Sequence, residues 1–282
     1  MTIDIICPLY NAENDIERLN TSILKQKDVN INKIRYVLTE CKDNSEKKLK
    51  ELQIDYKKIK KEEFSHSITR EQAAYESDAD IVVFVTQDVI IKREDWLFNL
   101  TKDIQNGKVD ACYSRQICTN NTIEKYTREK NYPEKSKIVS KEDINKLGLK
   151  TFFFSDASSA IKRETFIKLN GYDNKNLVIS EDMYIAYKLI TKGYKIKYCA
   201  DSEVIHSHVF TLKQYYDRYK DTGKFFKEND YLNKYKVNQA GGSLAIYILR
   251  RAWQDKNWKV LIKFIPNMAV RFIGMKVGKL TK

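Results

Sequence analysis

Five apolar residues in a row, Ile81-Val82-Val83-Phe84-Val85, run without a break into Thr86-Gln87-Asp88. A strand with one face in water alternates apolar and polar side chains. An unbroken β-branched and aromatic run instead belongs to a strand covered on both faces, as in the middle of a parallel sheet. Such a sheet needs helices on both sides. The first half of the chain supplies them, because short β-like runs alternate there with amphipathic helical ones. In open α/β sheets, ligands bind beyond the carboxyl ends of the strands. Asp88 therefore stands where a ligand or a metal is expected.

The periodicity predicts strands at 3–8, 34–38, 54–59 and 81–85, and helices at 14–25, 45–52, 70–75 and 94–104. The first helix presents Ile16, Leu19, Ile23 and Leu24 on one face. After Val109 the pattern changes. A strand at 110–118 is followed by a polar, irregular stretch at 120–150, expected to cover the active site or cross the surface. A strand within 151–161, a helix at 163–169 closed by Asn170-Gly171, a helix at 181–191 and strands at 194–199 and 203–205 come next. From Leu212 onward the chain reads as helical.

At 282 residues the chain can bury one large core with a smaller appendage. No stretch approaches the length of a transmembrane helix, and a strand starting at Ile3 leaves no room for a signal peptide. Cys7, Cys41, Cys112, Cys118 and Cys199 are scattered and form no CxxC pair. They read as small buried hydrophobes in a reducing compartment. Net charge is +13, of which +8 falls at 244–282.

Each chemical signal has an ordinary counterpart. An Asp after a strand often only forms a turn. Alternatively, the Asp88 carboxylate holds Mn²⁺ or Mg²⁺, which favour hard oxygen ligands and stabilise charge on a departing nucleoside diphosphate. Ser180-Glu181-Asp182 fits an N-cap with acids in the first helical turn. It fits equally a general base, Asp182, taking the proton from a sugar hydroxyl that attacks an anomeric carbon through an oxocarbenium-like transition state. In His206-Ser207-His208, at the end of a strand-like run, structural rings are the commoner case, and one ring as a ligand with the other structural is the alternative. Arg70, placed at a helix start where the dipole disfavours a cation, points to an anion such as a diphosphate, with a plain surface arginine as the alternative. Arg115 has the same reading.

Together these segments resemble the family 2 glycosyltransferases of the GT-A fold, and within them the bacterial rhamnosyltransferase-like branch that builds cell-surface polysaccharides. The resemblance spans 3–210 and rests on the order and spacing of its motifs. It implies a Rossmann-like, mostly parallel sheet flanked by helices over 1–210, with a basic amphipathic helical segment over 211–282. Pro8-Leu9-Tyr10-Asn11 resembles the end of the family's first strand, where the nucleotide lies. Phe64-Ser65-His66 with Arg70 resembles the branch's His-to-Arg segment, with Ser67 and Ile68 in place of its usual glycines. Thr86-Gln87-Asp88 is similar to the branch's variant of the DxD motif, which implies Gln87 and Asp88 at the diphosphate and Asp88 at the metal. Arg115-Gln116 fits the following strand, and 158–163 with Gly171-Tyr172 resembles the acceptor side. Glu181-Asp182 resembles the ED motif, which implies Asp182 as the base beside Glu181. His206-Ser207-His208 resembles the late histidine, with His208 on the metal. Thr39-Glu40-Cys41-Lys42-Asp43 departs from the family's Asp-x-Ser, and Glu40 takes that place toward the base and ribose.

Toward the C-terminus, Trp253, Trp258, Ile262, Ile265, Phe272 and Ile273 interleave with Arg250, Lys256, Lys259, Lys263 and Lys276. That mixture suits a helix lying on an anionic membrane; packing on the catalytic domain is the alternative. No nucleic-acid motif accompanies the charge, so nucleic acid is not an expected partner. The expected protein is an inverting transferase at the inner face of the cell membrane. It moves a sugar, rhamnose from dTDP-rhamnose on the resemblance, to a saccharide or lipid-linked saccharide. A homodimer is compatible with this reading. A UDP-hexose donor, or a non-catalytic membrane or nucleic-acid binding module, are the alternatives.

Overall fold

The computed structural model describes residues 1–235 and 240–281. The first half contains β1 (Thr2–Leu9), α1 (Ile16–Leu24), β2 (Asn30–Thr39), α2 (Ser45–Glu51), β3 (Tyr56–Ile59), α3 (His66–Tyr75), β4 (Ile81–Val85) and α4 (Trp96–Gln105). Then come β5 (Ala111–Ile117), α5 (Ile123–Asn131), β6 (Lys137–Val139), α6 (Ile144–Leu147), β7 (Ser158–Lys162), α7 (Arg163–Lys168), α8 (Glu181–Thr191) and β8 (Ile196–Ile205). The chain closes with α9 (Leu212–Glu228), α10 (Ala240–Gln254) and α11 (Trp258–Leu280).

One sheet of eight strands runs in the order β3-β2-β1-β4-β7-β5-β8-β6. Pairs β1–β2, β1–β4, β2–β3 and β5–β8 are parallel, whereas β7 runs antiparallel between β4 and β5. From β1 the chain goes to β2 on one side and returns through β4 on the other. That reversal is the switch point at which open α/β sheets hold ligands.

All five residues of β4 are fully buried. Ile81, Val83 and Val85 join one core with Ile16 and Leu19 of α1 and Leu97 and Leu100 of α4. Val82 and Phe84 face a second core with Ala74 of α3, Phe166 of α7 and Ile185 of α8. Each such side chain stabilises the fold by about 1.5–3 kcal/mol. A third cluster joins Ile123 and Tyr126 of α5 to Tyr215 of α9, Ile248 of α10 and Phe264 of α11.

Four expectations change. Leu24 is 65% exposed, because α1 directs Ile16, Leu19 and Ile23 into the core and Leu24 lies past that stripe. The stretch at 120–150 contains α5, β6 and α6, and α5 is held by Ile123 and Tyr126. The strands at 194–199 and 203–205 are one strand, β8, whose register with β5 shifts between Ser114 and Arg115. Helix α3 begins at His66, four residues before Arg70, because the Ser65 side chain caps the Ile68 N–H. No helix among the described residues is long and apolar enough to cross a membrane.

The C-terminal helices pack on the rest of the chain and on each other. Gly223 of α9 faces Gly278 of α11, and Gly274 abuts the backbone of Tyr216 and Lys220, so the two helices approach backbone to backbone. Val260, Phe264, Asn267, Arg271, Gly274 and Gly278 form the inward face of α11 at helical spacing.

Candidate active site

A cleft of about 1070 Å³ opens beyond the carboxyl ends of β1 and β4. Pro8, Tyr10, Gln87 and Asp88 line it. The Gln87 amide ties these strand ends together. It accepts from the Tyr10 N–H at 2.8 Å and donates to the Tyr10 carbonyl at 2.9 Å.

Asp88 meets His206 and His208 because the segment after β4 bonds to the end of β8. Ile90 and Ile205 exchange backbone hydrogen bonds of 2.8 and 2.9 Å. The Asp88 carboxylate is then 3.4 Å from His206 Nε2 and 3.6 Å from His208 Nε2. The two Nε2 atoms are 2.7 Å apart. Burial opposes the charge on Asp88, but the adjoining His206 ring and then His208 outweigh it and hold the carboxyl well below its usual range. Burial, then His206, lowers His208 to about 4, so its ring is neutral at physiological pH. His206 Nδ1 is 2.9 Å from the Gln116 carbonyl oxygen, which also accepts from Arg128. With that oxygen accepting, Nδ1 carries a proton and Nε2 is the atom presented to Asp88 and His208. One carboxylate oxygen and two imidazole nitrogens within 4.8 Å of one another suit a divalent cation such as Mn²⁺.

Across the cleft, α8 begins with Glu181 and Asp182. Ser180, before them, has a left-handed backbone (φ 62°) and no capping bond from its side chain. Ser180 thus holds the N-cap position, its carbonyl accepting from the Tyr184 N–H at 3.1 Å, without a cap from its hydroxyl. Local strain at a non-glycine residue is placed beside the two acids. Asp182 lines the cleft, and its Oδ1 accepts from the Met183 N–H at 2.7 Å. Burial, then the charges of Glu181 and Asp156, raise its pKa well above the usual carboxylate value. Such a carboxylate accepts a proton more readily than an ordinary one near neutral pH.

Arg70 does not face open solvent. It is 2% exposed, pairs with Glu181 at 2.9 Å, and donates to the His66 carbonyl at 3.0 Å. The dipole argument for an anion at Arg70 fails, since Arg70 sits in the second turn of α3 and a carboxylate already meets it. His66 lines the cleft, with its pKa lowered to about 4 by burial and then by Arg70. Arg115 is kept out of the cleft lining by Glu203 at 2.9 Å and Glu134 at 3.4 Å. Glu40 and Asn11 are exposed and also outside the lining, whereas Thr39 is within it.

Sequence reasoning missed several contributors. Asp156, at the cleft floor, is buried. It accepts from Tyr172 Oη and from Ser159 Oγ, both at 2.7 Å. Its pKa is raised by burial and by Glu181. Glu71 of α3 braces the Gly171–Tyr172 turn by accepting the Tyr172 and Asn174 N–H groups. A Cβ on Gly171 would collide with Glu71. Arg128 of α5 and Arg218 of α9 also line the cleft. No local motif marks any of these residues; the fold brings them together.

The mostly parallel sheet with this strand-end cleft, together with the matches that follow, identifies a nucleotide-sugar transferase of the GT-A fold. The family profile "Glycosyl transferase family 2" matches residues 4–169. The chain is 31% identical over 284 residues to the O-antigen chain rhamnosyltransferase RfbN of Salmonella typhimurium, covering 99% of this chain and 90% of that protein. It is 33% identical over 225 residues to the O-antigen chain rhamnosyltransferase WbaN of Salmonella anatum, covering 78% and 71%. The mannosyltransferase PcManGT from Pyrobaculum calidifontis, solved with GDP-Man and Mn²⁺, matches with a TM-score of 0.62 at 15% identity, over 99% of this chain and 86% of that one. The chain belongs to glycosyltransferase family 2.

Proposed function

We propose that this enzyme transfers rhamnose from dTDP-rhamnose to a hydroxyl of a lipid-linked saccharide, with inversion at the anomeric carbon. The reading is carried by one observation: Asp182, with its raised pKa, lines the same cleft as the Asp88–His206–His208 cluster. Rhamnose, and the use of the product in surface polysaccharide, are supported by the likeness to RfbN and WbaN.

In this mechanism Asp182 accepts the proton of the attacking hydroxyl as the new glycosidic bond forms and the nucleoside diphosphate departs. Asp88, His206 and His208 would hold Mn²⁺ or Mg²⁺, which supplies Lewis-acid stabilisation of the diphosphate. Tyr10 and Pro8 border the nucleotide, and Gln87 fixes the Tyr10 backbone. Arg70 and Glu181, paired with each other, hold the floor beneath Asp182. Residues 1–210 carry Asp88, Asp182, His206 and His208 in this reading, and α9 and α11 add residues to the wall of the same cleft.

The segment at 211–282 adds a membrane contact. Ile262, Ile265, Phe272 and Ile273 are exposed on the face of α11 opposite Arg271, with Trp253 and Trp258 exposed nearby and Lys259, Lys263 and Lys276 around them. This arrangement supports a peripheral site on an anionic bilayer at the inner face of the cell membrane.

Incubation of the purified enzyme and Mn²⁺ with dTDP-rhamnose, UDP-glucose and GDP-mannose, each with a membrane glycolipid extract, tests the donor. Rhamnose incorporation alone supports the reading, and incorporation of another sugar alone replaces the donor. For the membrane contact, flotation with vesicles containing phosphatidylglycerol is expected. Failure to float would remove that part.

A further inference from the structure

The cleft contains cations that the donor chemistry above leaves unassigned. Lys61, Arg70, Arg128, Arg218 and Arg271 all line it. Arg70 is taken by Glu181, and Arg271 of α11 by Glu124 at 3.2 Å. Lys61 lies over the Tyr10 ring, 6.0 Å from its centre. Arg128 donates to Gln116, lies over the Tyr132 ring, and leaves its Nε without a partner among the described residues.

Arg218, like Arg128, differs from Arg70 and Arg271. It has no ion-pair partner among the described residues, although Asp221 lines the same wall one turn further along α9. Its guanidinium rests 5.1 Å from the centre of the Phe210 ring. Phe210 stacks on His208, with centroids 5.0 Å apart. The guanidinium is thereby stationed beside the Asp88–His206–His208 cluster, one aromatic ring away. Arg128 reaches the same cluster through the Gln116 carbonyl oxygen, which also meets His206 Nδ1. Two guanidinium groups therefore flank one end of the cleft. A nucleoside diphosphate that meets one divalent cation still carries excess negative charge, and guanidinium matches phosphate oxygens in a two-pronged geometry.

We propose that Arg218, acting with Arg128, binds the donor's diphosphate, so that α9 of the C-terminal segment completes the donor site. This rests on the reading of the cleft as a nucleotide-sugar site. It gives the C-terminal helices a direct part in catalysis, separate from any contact with a membrane. It also moves the diphosphate's arginine from Arg70, whose guanidinium is buried and paired with Glu181, to Arg218 of α9.

The test is calorimetric titration of full-length wild type, Arg218→Ala and Arg218→Lys with dTDP, UDP and GDP and with the matching monophosphates, all with Mn²⁺. Arg218 is exposed with its guanidinium over the Phe210 ring, and thermal melts of the variants check folding. Arg218→Ala is expected to weaken the preferred diphosphate about tenfold or more while changing the monophosphate much less. Arg218→Lys is expected to recover part of the loss, since it keeps the charge but not the fork. Equal changes for mono- and diphosphate, or none, would overturn the assignment of Arg218 alone. So would an unchanged diphosphate affinity together with a raised KM for the acceptor. A wild type that binds none of the diphosphates overturns the donor-site reading, and this assignment with it.

Discussion

The Arg70 guanidinium lies 2.9 Å from the Glu181 carboxylate, with the two side chains 2% and 11% exposed. This pair joins α3 to the first turn of α8, directly beneath Asp182. Removing one partner of a buried pair leaves a charge with no compensation and is destabilising by about 3–5 kcal/mol. Arg70→Met is thus expected to lower the melting temperature sharply. Combining it with Glu181→Leu should restore a large part of the loss. A double variant whose losses simply add would show that the two side chains are not coupled.

Asp182 sets the expected pH dependence. As a base it must be ionised, so kcat/KM should rise with pH through its raised pKa, above the ordinary carboxylate value of 3.8. Asp182→Asn should reduce kcat by about 10²–10⁴ while leaving the donor Kd intact. Because Asp156 contributes to the elevation, Asp156→Asn should move the acidic limb to lower pH. A limb that stays in place would assign it to another group. The stability terms have opposite signs. Between 3.8 and its raised pKa, Asp182 is ionised in the unfolded chain but protonated in the folded one, so it destabilises the fold as pH rises. Asp88, lowered, stabilises the fold above 3.8, and that contribution is lost as pH falls toward its folded value.

Local pattern carried the parts of this molecule that local physics decides. The unbroken apolar run of β4 announced a strand covered on both faces, and Val82 and Val83 do enter different cores. The motif ends at Pro8, Asp88 and Asp182 announced the cleft, since strand and helix termini are where such folds expose chemistry. Long-range geometry was not legible. Nothing beside Arg70 reveals Glu181, 111 residues away. Nothing beside His206 shows that Ile205 bridges to Ile90 and thereby aims both rings at Asp88. Helix α5 was hidden because most of its turns are charged, and only Ile123 and Tyr126 bury.

Gln116 offers a test of the cation cluster that leaves every ligand in place. Its carbonyl oxygen accepts from His206 Nδ1 and from Arg128, which fixes which ring nitrogen faces Asp88. Partners of this kind are worth about 10–100-fold in metal affinity. Gln116→Leu is therefore expected to weaken Mn²⁺ binding by that factor in calorimetry, without changing the fold by circular dichroism. Asp88→Asn should weaken it further, because a charged ligand is lost. Wild-type affinity in Gln116→Leu would show that the His206 ring is oriented by its other contacts.

The contact between α9 and α11 makes the last prediction, because it couples stability to the cleft. A Cβ placed on Gly278 would run into the carbonyl of Lys220, and one on Gly223 into the carbonyl of Met275. Backbone cannot move aside as a side-chain tip can, so Gly278→Ala has to push the helices apart. Overpacking of this kind destabilises by about 1–3 kcal/mol. Gly242, exposed in the first turn of α10, has open space around its Cβ position. There the same exchange should stabilise by up to about 1 kcal/mol, since alanine is the better helix former. The two variants should thus shift the melting temperature in opposite directions. Only Gly278→Ala should also raise the KM for the donor, because Arg218 and Arg271 reach the cleft from the two helices it separates. A lowered melting temperature with an unchanged KM would mean that the cleft wall keeps its shape when that helix pair is loosened.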